Sequence, residues 1–347
     1  MKTTRHLALA LTVVSATITF AAWGGPGNQP EAVAATASNS SLLPDPTGPF
    51  AIGVRTVPGV APDATTRIWY PARRGTGTAG VPYLTARGAA AAGVTVEQVQ
   101  AVRVRARANA VAVPHRRPRA AVLLMPGWGS PMALSTSLAE NLASNGYVVL
   151  TVDPAVGSED GMALPADAAR PDRRVEQLDA GLAFLTGPEV AAMVGPVDTR
   201  RIAVGGHSIA GAVAFQASLD DTRMAAVFDL DGWLHGAALT NPVTVPALVI
   251  NASGLEPATK AIIARTPSAV TVALEGATHS DVTDLPCLVP ALGVSASALG
   301  LGAIGCTGTV TTNAIVQRFL DAVLRHGRPT PSSASLAASL AGVVAAR

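Results

Sequence analysis

Between residues 120 and 327 the chain alternates short apolar runs with longer segments whose apolar residues recur every three or four positions. The short runs are "AAVLLMPG", "YVVLTVD", "RRIAVGGHS", "AAVFDLDGW", "PALVINAS" and "AVTVALEG". They are too short for helices and carry no polar alternation, so they predict strands buried on both faces. "PMALSTSLAENLASNG" predicts an amphipathic helix with a glycine stop, and "PDRRVEQLDAGLAFLTG", "IAGAVAFQASL" and "TNAIVQRFLDAVLRHG" predict three more. Strands alternating with helices give an α/β fold with a mostly parallel central sheet and helices on both faces. Sites in such sheets lie at the carboxyl ends of the strands.

Upstream, "AIGVRTV" (51–57) and "TTRIWYP" (65–71) are β-rich and separated by Pro and Gly, which predicts an antiparallel hairpin. Residues 82–113 are rich in Ala and Arg, with helical character in "VTVEQVQAVRVRARA"; they read as a cap or a surface excursion. The first 34 residues read as an export signal: Lys2 and Arg5, an apolar stretch, then Ala-x-Ala. The alternative is an uncleaved membrane anchor. Residues 35–48 read as a flexible lead-in, 49–330 as one catalytic domain and 331–347 as a tail.

Composition narrows the class. Of 347 residues, 49% are hydrophobic and 14% charged, which supports a large buried core. A net charge of +2 gives no electrostatic case for nucleic acid. Cys287 and Cys306 in an exported chain predict a disulfide. No Cys/His cluster has metal-ligand spacing and no glycine fingerprint for a dinucleotide is present, so no cofactor is expected.

The chemistry centres on "GGHSIAG". Ser208 lies where a strand ends and a helix begins, the setting of a nucleophile elbow, although Ala210 stands where the last glycine of G-x-S-x-G belongs. A serine hydroxyl needs a base, and chain order puts an acid and then a histidine after it. His279, in "EGATHSD" directly after a strand, fits the base. "AAVFDLDGW" offers Asp229 and Asp231, which share a face by strand period. Asp231 is nearer the strand's end and precedes Gly232, and is preferred as the acid. The oxyanion amides fall to Ile209, at the start of the helix, and Trp128 in "PGWGS". His207 should point away from the serine.

With these motifs the chain resembles the α/β-hydrolases of the plasma-type platelet-activating factor acetylhydrolase family, and is similar to bacterial secreted lipases, cutinases and polyester hydrolases. "LLMPGWGS", "VDTRRIAVGGHSIAG", "DLDGW" and "THSDVTDLP" carry the resemblance. Pro126 stands where that family usually has an oxyanion-loop histidine, and Ala210 replaces a glycine; both would reshape the acyl pocket. The insert from about 285 to 311 would wall the site. The resemblance implies a secreted, cofactor-free serine esterase acting on carboxylic esters, lipid-like or short-acyl. Ser208 is the nucleophile, Asp231 the acid and His279 the base, with Trp128 and Trp233 in the substrate pocket. Phospholipid acetylhydrolase and polyester or cutin hydrolase are the alternatives within that class. A small-molecule or lipid ester is the expected partner, with contact to a lipid surface. A catalytically silent binding protein on the same fold is the rival class.

Overall fold

The computed structural model describes residues 42–154 and 169–338. The export signal lies outside the described residues. Nine strands form one sheet in the order β3-β1-β2-β5-β4-β6-β7-β8-β9. The hairpin is β1 (Ala51–Val57) and β2 (Ala64–Ala72), antiparallel as expected. The two-residue β3 (Arg107–Ala108) flanks β1. The parallel part holds β4 (Arg119–Met125), β5 (Val148–Pro154), β6 (Val197–His207), β7 (Met224–Leu230), β8 (Ala247–Asn251) and β9 (Ala269–Ala273).

The apolar runs are buried on both faces because helices cover both. Along β4, Ala121, Leu123 and Met125 enter one core and Ala120, Val122 and Leu124 the other. The first core lies under α4 (Ala169–Thr186), α5 (Pro188–Val194), α6 (Ile209–Ala217) and α7 (Pro257–Ala264). The second lies under α3 (Thr136–Ser144), α9 (Cys306–Leu320) and α10 (Ser333–Ala338). Helix α10 falls in the stretch read as a tail, yet buries Leu336 there.

Four expectations change. All nine residues of α3 are buried, so it has no solvent face. Its polar side is spent on partners: Asn141 Oδ1 accepts from Thr47 N at 3.0 Å, Ser144 Oγ from Gly48 N at 3.0 Å, and Glu140 Oε1 from Ala106 N at 2.6 Å. The lead-in is therefore anchored from about Leu42, and Leu43 is buried in a third, smaller core. The helical character of 94–108 stops early: α1 is Ala86–Ala91, and α2 is Val96–Gln100 with a Thr95–Gln98 capping box. These helices pack on α8 (Leu285–Leu292) through Val99, Val102 and Leu288. The closing helix starts at Cys306, six residues before the periodic run that predicted it, because the "insert" is itself helical.

Candidate active site

Ser208 sits between β6 and α6 with φ 57° and ψ −125°. That region is sparsely populated for a side-chain-bearing residue and costs on the order of 1–3 kcal/mol. The surroundings enforce it. Ser208 N–H donates to Leu230 O at 3.0 Å, tying the elbow to β7. A Cβ on Gly206 would overlap Met125 O of β4 and stand 2.9 Å from the Ala210 methyl. A Cβ on Gly211 would overlap Asp229 Oδ1. The second glycine of the motif is thus Gly211, while Ala210 is tolerated because Gly206 has no side chain. Ala210 is buried in the first core, so its methyl supports the elbow from beneath instead of reshaping an acyl pocket.

Strand periodicity put Asp229 and Asp231 on one face; the structure separates them. Asp231 follows the last β7 residue and turns into the left-handed region, φ 58°. Its carboxylate swings to the ends of β8 and β9. Oδ1 accepts from Ala252 N (2.6 Å) and Ser253 N (2.9 Å), and Oδ2 from Ser253 Oγ (2.6 Å). His279 Nδ1 lies 2.8 Å from the same Oδ2. Burial alone would raise the Asp231 carboxyl, but the hydrogen bonds from His279, Ser253 and Ala252 outweigh it and hold it below the usual range. Asp229 is fully buried beside Gly211 and accepts from Gly232 N at 2.8 Å. Burial pushes its carboxyl well above the usual range, against the opposing Gly232 hydrogen bond.

His279 is half exposed and backs onto His207. The rings are 4.4 Å apart, and His207 Nε2 lies 2.9 Å from His279 O. Burial first, then the neighbouring His279, push the His207 imidazole down to about 3, so it is neutral and donates Nε2–H to that carbonyl. His207 thus bridges the elbow and the histidine loop, a role that its position beside Ser208 did not reveal. Nδ1 of His279 is engaged by Asp231, and among the described residues Nε2 makes no hydrogen bond. That nitrogen is the one available to take a proton.

The histidine loop is tied down behind by the segment read as a wall. Asp281 Oδ2 accepts from Thr278 N (2.6 Å), Thr278 Oγ1 (2.9 Å) and Gly302 N (2.7 Å). The Thr278 hydroxyl also lies 2.8 Å from Gly300 O, so its one proton is shared between that carbonyl and Asp281, and Thr309 Oγ1 donates to Thr283 O. The Cys287–Cys306 disulfide joins α8 to α9 in the same segment.

Ile209 opens α6, where a helix leaves its first N–H groups without intrahelical partners. Gly127 packs against His207, and a Cβ on it would lie 3.4 Å from Ser208 Cβ. Trp128 follows, half-buried. Sequence reasoning missed Arg174 of α4: it is buried, donates to Pro126 O (3.0 Å) and Gly127 O (3.5 Å), and lies over the Trp128 ring. The basic run "PDRR" contains it, but nothing there separates a buried arginine from a solvated one. Trp233 is exposed just past Asp231.

A cavity of about 150 Å³ is walled by Tyr83, Thr85, Met132, Arg67 and Asp153; Ser208, Asp231 and His279 are not among its walls. Among the described residues no cluster of His, Cys, Asp and Glu could hold a metal, and no helix is long and apolar enough to cross a membrane.

A ferulic acid esterase from Streptomyces cinnamoneus superposes with a TM-score of 0.67 at 28% identity, covering 83% of this chain and 94% of that one. The chain has the α/β-hydrolase fold. Within that fold, residues 114–266 match a family described as PET hydrolase-like. Cutinase 1 of Thermobifida cellulosilytica is 31% identical over 132 residues, 38% of this chain and 46% of that protein. A bis(hydroxyethyl) terephthalate hydrolase of Streptomyces coelicolor is 31% identical over 134 residues, 39% of each. The chain spans under half the length of these two relatives. The cutinase and polyester-hydrolase side of the resemblance is borne out, and the matched segment holds β4 to β8, with Ser208 and Asp231 but not His279.

Proposed function

We propose that this chain is a serine carboxylic ester hydrolase working through an acyl-enzyme. The observation that carries the reading is the 2.8 Å His279–Asp231 contact, on a histidine whose ring packs on His207, the residue before a serine in an enforced φ 57° elbow. His279 Nε2 takes the Ser208 proton as the hydroxyl attacks the ester carbonyl. Asp231 holds the imidazole tautomer and stabilises the imidazolium. The Ile209 and Trp128 amides receive the developing oxyanion. His279 then returns the proton to the leaving alcohol, and activates the water that releases the acid.

The substrate class we favour is a bulky ester with an aromatic or other apolar acyl part, including polyesters. Three matches support it: a ferulic acid esterase, a terephthalate-ester hydrolase and a cutinase. A half-exposed His279 and an exposed Trp233 leave the site open to such groups. Export, on the strength of the N-terminal signal pattern and the disulfide, belongs to the same reading.

The test is hydrolysis of p-nitrophenyl butyrate and labelling by a fluorophosphonate, with Ser208→Ala alongside. Wild type should do both and Ser208→Ala neither; equal labelling of the two would end the assignment. A panel of feruloyl ester, bis(hydroxyethyl) terephthalate, polyester film and acetyl phospholipid then ranks substrates, the last arm testing the acetylhydrolase alternative.

A further inference from the structure

We infer that Arg174 is a positioning residue that aims the oxyanion amide of Trp128 from α4. The inference rests on the serine-hydrolase reading above. The turn after β4 has little to fix it from within. Pro126 lacks an N–H, Gly127 lacks a side chain, and among the described residues Ser130 N–H closes the turn onto Gly127 O at 3.3 Å. Glycine leaves the peptide planes beside it more freedom to rotate than other residues do.

Arg174 removes that freedom at two successive peptides. Its guanidinium donates from Nη1 to Pro126 O and from Nη2 to Gly127 O. No peptide bond in the described chain is cis. In a trans peptide the C=O of one residue and the N–H of the next point in opposite directions. Drawing the Gly127 carbonyl toward Arg174 therefore turns the Trp128 N–H away from it, and drawing the Pro126 carbonyl does the same for Gly127 N–H. The turn meets the nucleophile on another side, where Gly127 packs on His207 and Ser208.

The chemistry suits arginine. Its planar fork can reach two carbonyls at once, and it stacks on an aromatic face. Here it lies 5.7 Å from the Trp128 ring centroid, so one side chain grips both the backbone and the side chain of the residue that supplies the amide. It is only 2% exposed, which makes the grip rigid. An oxyanion hole works because its donors are aimed before the charge appears. The sequence places no histidine in this turn, and the grip comes from a helix 48 residues away.

The test compares wild type with Arg174→Gln and Arg174→Lys. Both variants keep a donor but cannot hold two carbonyls and stack together. We expect kcat on p-nitrophenyl butyrate to fall about 10- to 100-fold, a part of what losing a whole oxyanion donor costs, with KM within about twofold. The rate of fluorophosphonate labelling should fall by a similar factor, because the phosphonyl oxygen occupies the amide-lined position. The pH profile should keep its shape, and Arg174→Lys should be the less impaired. A kcat within about threefold of wild type in both variants, with normal labelling, would overturn the inference and leave the esterase reading standing. Loss of native circular dichroism in both would also overturn it, since Arg174 would then serve the fold. Failure of wild type to label at all would instead strike the esterase reading.

Discussion

The two halves of the site are made of different materials. The nucleophile half is held by close packing: β4, β6, β7 and α6 approach so tightly that Gly206 and Gly211 have no room for a methyl group. The base half is held by polar side chains: Asp231, Ser253, Asp281, Thr278 and Thr309 hang His279 on loops beyond the sheet. One half should break when volume is added, and the other when a hydrogen bond or a crosslink is removed.

The largest effect expected is on the base half. Asp231→Asn should lower kcat about 10³- to 10⁴-fold by upsetting the histidine tautomer. Asp229→Asn, at a buried carboxyl that is bonded to Gly232 N and not to His279, should cost less than about tenfold. Steady-state kinetics on one ester decides, and the reverse ranking would exchange the two assignments. Next comes the crosslink. Cys287→Ser opens a disulfide with a sequence separation of 19, and loops of that size are worth about 3 kcal/mol. A Tm lowered by several degrees, with activity lost before the global transition, is the expected thermal-melt result. An unchanged Tm would detach the segment from the base half.

Gly211→Ala tests the packing half. Its methyl would overlap Asp229, and overpacking of this kind costs about 1–3 kcal/mol. The variant should melt earlier and lose activity, with Asp229→Ala added to it restoring part of both. A fully active Gly211→Ala would mean that the elbow is looser than its contacts imply.

The smallest effect is electrostatic and lies behind the base half. Asp284, next to the histidine loop, is buried and accepts from Ser137 N and Oγ of α3; Glu140 lies one turn further along. Burial pushes Asp284 up to about 7 and Glu140 up to about 8, against hydrogen bonds that lower both. A carboxyl raised on folding binds its proton more tightly in the native state. Its stabilisation is therefore complete below the unfolded value and is lost as pH rises through the folded one. Stability should decline from about pH 4.5 to 8, and Glu140→Gln should flatten the decline. Urea titrations at pH 5 and pH 8 read it directly.

The same contrast decided what could be read from sequence. Apolar runs and glycines report packing, so the sheet, the elbow and the order Ser208, Asp231, His279 were legible. Polar tethers reach across the chain and leave no periodic trace. Arg174 at Pro126, Asp281 at Gly302, and Asp284 at Ser137 were invisible for that reason, as was the neutral bridge made by His207. The face shared by Asp229 and Asp231 failed for a local cause. Period two holds only while the strand continues, and Asp231 has already left it.

The order in which these parts leave the ribosome has a consequence of its own. Hairpin, elbow, oxyanion turn and acid all lie before residue 232, while the base and its tethers Thr278, Asp281 and Thr309 lie between 278 and 309. A growing chain can therefore carry a finished serine elbow without a base to activate it. On the proposed mechanism, ester cleavage waits until the last third of the domain has been made and has closed over the first.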